Sequence, residues 1–129
     1  MSKIVQIKIF NDILNQFFDF LENNFKFYKS DLILAKSGME FIRKGNPRLV
    51  VEQFMGFVGP YKNEIFKCNE DFFLDFDKNM IQKDLTIDNM LNGMKIKNIW
   101  LANDTTDHQK AYIWLYFQKL ISAGEKVIN

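Results

Sequence analysis

Three oxygen-bearing side chains at alternate positions, Asp75, Asp77 and Asn79, carry the sharpest chemical signal in the chain. That spacing opens a calcium loop of the D-x-D-x-N kind, in which hard oxygens converge on a divalent cation. The rest of the loop departs from the pattern. Its sixth position needs glycine for a sharp turn and holds Met80; its twelfth needs a bidentate glutamate and holds Thr86. Glu70, Asp71 and Asp84 are further oxygen donors nearby. Asp71, Asp75 and Asp77 are the candidate metal ligands. The plainer alternative is a solvated acidic turn with carboxylates at a helix start. Paired carboxylates also perform general acid–base work, but no partner nucleophile accompanies these. Asp71 and Asp75 stand four residues apart and repel mildly on a helix. A cation, a basic partner or the neighbouring lysines would relieve that repulsion.

The remaining reactive residues are sparse. His108 is the single histidine, with Asp104 and Asp107 close in sequence; Ser122 and Cys68 are the nucleophiles an active-site reading would enlist. His108 falls in the polar first turn of an expected helix, where an exposed structural role is the simpler reading. One histidine and one cysteine do not make a zinc site. Cys68 reads most simply as a small, half-buried filler. No cofactor is indicated. Arg43, Lys44 and Arg48 bracket an Asn46-Pro47 corner and are the candidate phosphate contacts, helped by N–H groups at a helix start. Against strong nucleic-acid binding stands the charge balance: 17 basic and 16 acidic side chains, net +1.

Aromatic side chains are the other resource, with 14 phenylalanines in 129 residues. Most sit at core spacing. Phe20, Phe25, Phe27, Tyr28, Tyr112 and Tyr116 do not, and Phe20, Phe25, Tyr28, Tyr112 and Tyr116 form the candidate interaction surface for a protein partner.

The elements that must position these groups are helices. Phe10, Ile13, Leu14, Phe17, Phe18 and Leu21 recur at helical spacing and predict a first helix from Phe10, stopped at Asn23-Asn24, with residues 1–9 as an arm or frayed start. Ser30 or Asp31 caps a second helix to about Lys44, with Leu32, Ala35, Met39 and Ile42 inward and Gly38 open to a close neighbour. Gly45 ends it. Asn46 and Pro47 start a third helix with Val50, Phe54, Phe57 and Val58 buried, ended by Gly59-Pro60. Tyr61, Ile65 and Phe66 face inward from a short fourth, and Asn69 caps a turn carrying Phe72, Phe73 and Phe76. Lys78 to Thr86 reads as a loop, followed by a helix from Thr86 or Asp88 to about Ala102. A last helix runs from Thr106 to Ala123, stopped by Gly124, with residues 124–129 as a loose tail. Ile99-Trp100-Leu101 and Ile113-Trp114-Leu115 repeat one tripeptide, as expected of two helices docking similar knobs.

The length fits one domain. At 47% hydrophobic and 16% aromatic the chain is too apolar for the disordered class. No stretch approaches the roughly 20 apolar residues of a membrane span, so no membrane partner is expected. A lone cysteine and the lack of a secretory pattern at the N-terminus fit an intracellular setting.

Several pieces resemble an uncharacterised family of small helical proteins encoded by nucleocytoplasmic large DNA viruses of algae and protists. They are Phe10-Asn11-Asp12-Ile13-Leu14, Asn46-Pro47-Arg48 with Phe54, and Gly59-Pro60-Tyr61 with Ile65. Glu70-Asp71-Phe72-Phe73-Leu74 with Asp77 follows, then Ile99-Trp100 and Ile113-Trp114 with Tyr116 and Phe117. The resemblance spans nearly the whole chain. It implies a viral protein acting in the host cytoplasm or carried in a virion, and it brings no catalytic signature. The sequence therefore predicts an all-α, compact bundle of five to six short helices around one aromatic core. The function expected is a non-catalytic interaction or structural module. Weak nucleic-acid binding and a divalent-cation site at residues 70–77 are the alternatives.

Overall fold

The computed structural model describes residues 2–75 and 94–129. Every regular element among them is helical. Phe76, the 78–86 loop and the expected helix residues Ile87, Met90, Leu91 and Gly93 lie outside the described residues.

Helix α1 spans Lys3–Asn24. The expected arm is therefore helical. Ser2 is its N-cap, its hydroxyl accepting the Val5 N–H at 3.3 Å. The Ile7-Lys8-Ile9 alternation that resembles a strand is overridden by packing. Counting back from Phe10 by three and four residues reaches Ile7, which packs against the core, and Gln6, which is buried. Lys3 Nζ then donates to the Lys126 carbonyl at 2.9 Å, placing a cation at the far end of the last helix.

A single 3-10 turn, Lys26–Tyr28, leads directly into α2, Lys29–Gly45. No side chain caps this start; the turn supplies the entry instead of Ser30 or Asp31. Leu32, Ala35 and Met39 are buried as the spacing predicts. Gly38 is not a close-approach site, since a Cβ there would meet nothing within 4 Å. Asn46 serves two helices. Its N–H bonds the Ile42 carbonyl at 2.8 Å to close α2, and its Oδ1 accepts the Leu49 N–H at 3.2 Å to open α3, Pro47–Val58. One extended residue thus makes the corner, with Pro47 at the first helical position.

Gly59–Tyr61 tightens to a 3-10 turn before α4, Lys62–Phe66. Ile65 is buried, but Phe66 points out, with Lys62 Nζ 5.9 Å from its ring centre. Helix α5, Asp71–Leu74, is one turn that delivers Phe72 and Phe73 to the core. Helix α6, Ile96–Leu101, begins after Lys95, whose φ of 57° is left-handed. The expected continuous helix to Ala102 is broken there, because an α-helix does not pass through that conformation.

Helix α7, Asp107–Ile128, carries a complete capping box: Thr106 Oγ1 accepts the Gln109 N–H at 3.1 Å, and Gln109 Oε1 accepts the Thr106 N–H at 2.9 Å. It does not stop at Gly124, and the tail is helical with Val127 fully buried. Gly124 instead admits α3. A Cβ at Gly124 would lie 2.7 Å from Met55 Cγ and closer still to its Sδ.

The most extensive packing is between α1 and α7, which run antiparallel. Phe17 stacks on Tyr116 at 5.0 Å and meets Phe117 edge-on at 5.5 Å. Phe117 in turn touches Phe54, Phe72 and Phe73. The repeated tripeptide resolves here. Trp100 and Trp114 meet at 5.2 Å, and Phe73 lies 4.4 and 4.5 Å from them. Ile99 and Ile113 are buried beside them, and Leu101 and Leu115 face out. The aromatic core expected from composition is present, and α1 and α7, at 22 residues each, are longer than the short helices predicted.

Candidate functional site

Among the described residues of the acidic segment, Glu70 is spent on architecture. Glu70 Oε2 accepts the Trp100 indole N–H at 3.2 Å, so one carboxylate anchors the tryptophan pair. Asn69 Oδ1 accepts the Asp71 N–H at 3.1 Å and starts the α5 turn. Asp71 and Asp75 are exposed at either end of that turn, where Asp71 also favours the positive end of the helix. Among the described residues no group of three His, Cys, Asp or Glu side chains is placed to hold a metal. Asp77 and the loop positions Asn79, Met80, Asp84 and Thr86 lie outside them.

His108 is exposed on the first turn of α7, edge-on to Tyr112 at 5.1 Å. Ser122 is 14 residues along the same helix, about 21 Å by helical rise. Cys68 is exposed rather than half-buried, at a left-handed φ of 54°, and its Sγ accepts a contact from Gln118 Nε2 at 3.7 Å. Gln118 is 10 residues beyond His108, so no nucleophile–base pair forms.

The basic residues gather at the α2–α3 corner but do not converge on one point. Arg48 Nε bonds Glu52 Oε2 at 3.2 Å on its own helix, and Lys44 is exposed on the last turn of α2. Arg43 is half-buried and borders a cleft of about 400 Å³ with Ile4, Ile7, Lys8, Asn11, Asp12 and Pro47. The cleft wall is a tie between helices. Asn11 Nδ2 donates to the Ile7 and Pro47 carbonyls at 3.0 and 3.4 Å, holding α1 to the start of α3. Lys8 is paired with Asp12 at 2.7 Å.

The five aromatic residues expected at an interaction surface are mostly used internally. Phe20 lies 5.5 Å from Tyr112, 5.6 Å from Tyr116 and 6.1 Å from Phe25, closing the end of the α1–α7 pair. Phe25 is only 9% exposed, and Phe20, Tyr28 and Tyr116 are half-buried. Tyr112 alone of the five is exposed. The reason is geometric: residues that fall off one helix's stripe are covered when a second helix lies across that flank.

Among the described residues, Ile4 on α1 is 80% exposed and Leu101 on α6 55%, and the largest exposed apolar side chains stand on the outer face of α2 and its entry turn. Phe27 is 90% exposed, Leu34 74% and Phe41 81%. Leu34 and Phe41 are seven residues apart, which is two helical turns, so they align along one side of α2, and Phe27 stands on the 3-10 turn that leads into it. Ile33 is exposed beside them. Of these only Phe27 stands out from core spacing in the sequence. Leu34 and Phe41 are missed because the inward stripe of α2 accounts for the helix without them; the 27–34–41 interval is the signal that finds them.

No family model, curated protein or solved structure matches the chain. No helix among the described residues is long and apolar enough to cross a membrane. The exposed face of α2 is therefore read on its own chemistry.

Proposed function

We propose that this chain is a non-catalytic interaction module that docks through the outer face of α2. Following its resemblance, we place it as an accessory or virion protein of a large DNA virus, acting inside the host cell. The observation that carries the docking reading is the exposure of Leu34 and Phe41 along one side of α2, with Phe27 exposed on its entry turn. A phenylalanine side chain offers roughly 150–250 Å², so these three leave on the order of 400 Å² of apolar surface to water. Isolated exposed apolar residues are ordinary, but a set of this size marks an interaction site on a monomer. Among the described residues the packing of α2 does not use it, since the opposite side of α2 already supplies Leu32, Ala35 and Met39 to the core. Ser37 and Gly38, between the anchors, keep the face low and accessible to a helix of the partner.

The test is affinity capture from the native cell with two baits, the wild-type chain and a Leu34→Asp, Phe41→Asp variant. The reading expects partners that associate with the first and are lost from the second, with both baits equally folded by circular dichroism. Identical captured sets would sink it.

A further inference from the structure

The pattern of sizes on this face names its occupant. This inference rests on the docking reading above and specifies the partner. On α2, Leu34 and Phe41 fill one heptad position, with Phe27 on the entry turn ahead of them, and three residues further on from each stand Ser37, Lys44 and Ser30. Those second positions are exposed and lie beside the first on the face turned away from Leu32 and Met39. Leu34 and Phe41 therefore form a large row on α2 beside the small Ser30 and Ser37, with Phe27 before the first row and Lys44 at the end of the second.

We propose that the occupant is a second copy of this chain, with the two α2 helices packed antiparallel. A parallel pair sets like against like, placing Phe27 on Phe27 and leaving Ser30 opposite Ser30. An antiparallel pair sets Leu34 and Phe41 against the short serines of the other copy and Phe27 against Lys44. Phe41 lies over Ser30, Leu34 over Ser37, and Phe27 against the stem and ammonium of Lys44. This is knob-into-hole packing, and it leaves no ring against a ring. The Lys44 contact adds a cation over an aromatic face. The arrangement is twofold and closed, as a homodimer requires. The helix dipoles oppose, with Asp31 in the first turn and Arg43 and Lys44 in the last turn of each copy.

The area is sufficient. The anchors of two copies bury about 800 Å². Ile33 and the stems of the flanking lysines bring the total near the roughly 1,200 Å² at which specific interfaces begin. An interface at this lower bound exchanges reversibly, so the dimer should dissociate on dilution.

Sedimentation of the full chain over a wide concentration range tests the pairing. A reversible monomer–dimer equilibrium is expected, and Leu34→Asp should raise the dissociation constant roughly thirty-fold or more. Melting of the dilute monomer should not change with that exposed substitution. Orientation is read by disulfide trapping in a Cys68→Ser background. Ser30→Cys mixed with Phe41→Cys should cross-link, and neither variant should cross-link with itself. A wild-type chain that is monomeric throughout, a dimer indifferent to Leu34→Asp, or self-cross-linking of Ser30→Cys each overturns the proposal. The docking reading falls separately: a monomeric chain whose captured partners are lost with the Leu34→Asp, Phe41→Asp bait keeps that reading and rejects self-pairing. A monomeric chain with identical captured sets rejects both.

Discussion

Phe73 and Phe41 are the same residue type with opposite surroundings. Phe73 is fully buried between Trp100, Trp114 and Phe117. Phe41 is 81% exposed on α2. The difference lies in what crosses each helix. Helix α5 is a single turn, too short to hold together alone, and it persists because three other segments close over its two rings. Helix α2 is 17 residues long and rests on one side only. A ring in the first place stabilises the monomer. A ring in the second place is left in water by the described residues.

That contrast can be broken in steps. The largest effect is expected from Phe73→Ala, which empties the centre of the tryptophan pair and should cost about 3–5 kcal/mol by denaturant unfolding. If it costs no more than a surface change, the tryptophan node is not the keystone described here. Gly124→Val comes next. It forces a side chain into the space held by Met55 and should cost about 1–3 kcal/mol. Combining it with Met55→Ala should recover part of that loss, and a double-mutant cycle reads the coupling. Removing a cap is smaller. Asn46→Ala, at the shared corner of α2 and α3, should cost about 1 kcal/mol, and Thr106→Ala a similar amount. Smallest is Phe41→Ala, which should change monomer stability by less than about 0.5 kcal/mol while weakening association. A large stability loss there would place Phe41 in the folding core and erase the comparison.

Much of the fold was legible in the chain because it is written locally. The spacing of Phe10, Leu14, Phe17, Phe18 and Leu21 identifies the buried side of α1, and all five are buried. Asn46-Pro47 and Thr106 mark helix starts by side-chain chemistry, and both caps form. The errors share one cause. Gly124 reads as punctuation, yet it lies inside α7, because the requirement it meets is room for Met55 from another helix. Residues 3–9 read as an arm or a frayed helix start, yet they are helical, because Gln6 and Ile7 pack inward and Lys3 reaches the Lys126 carbonyl of α7. Phe66 reads as inward yet is exposed, because α4 is five residues long and turns only one side to the core, and Cys68, read as half-buried, is exposed on the turn beyond the end of α4. The candidate site follows the same rule. Phe20, Phe25, Tyr28 and Tyr116 fall off their stripes and are nevertheless wholly or half covered, whereas Leu34 and Phe41 are left outside.

The sequence by itself determined that the described segments are helices, where several begin, and which side of each long helix turns inward. Those properties depend on residues within a few positions of one another, so hydrogen-bond geometry and periodicity suffice to write them. Tertiary structure alone decided which remaining apolar side chains stay in water. Coverage of a flank depends on a distant segment lying across it: α1 and α7 cover Phe20 between them, and among the described residues nothing covers Phe41. The exposed row on α2 is visible only once that packing is known, and the proposed docking face rests on it.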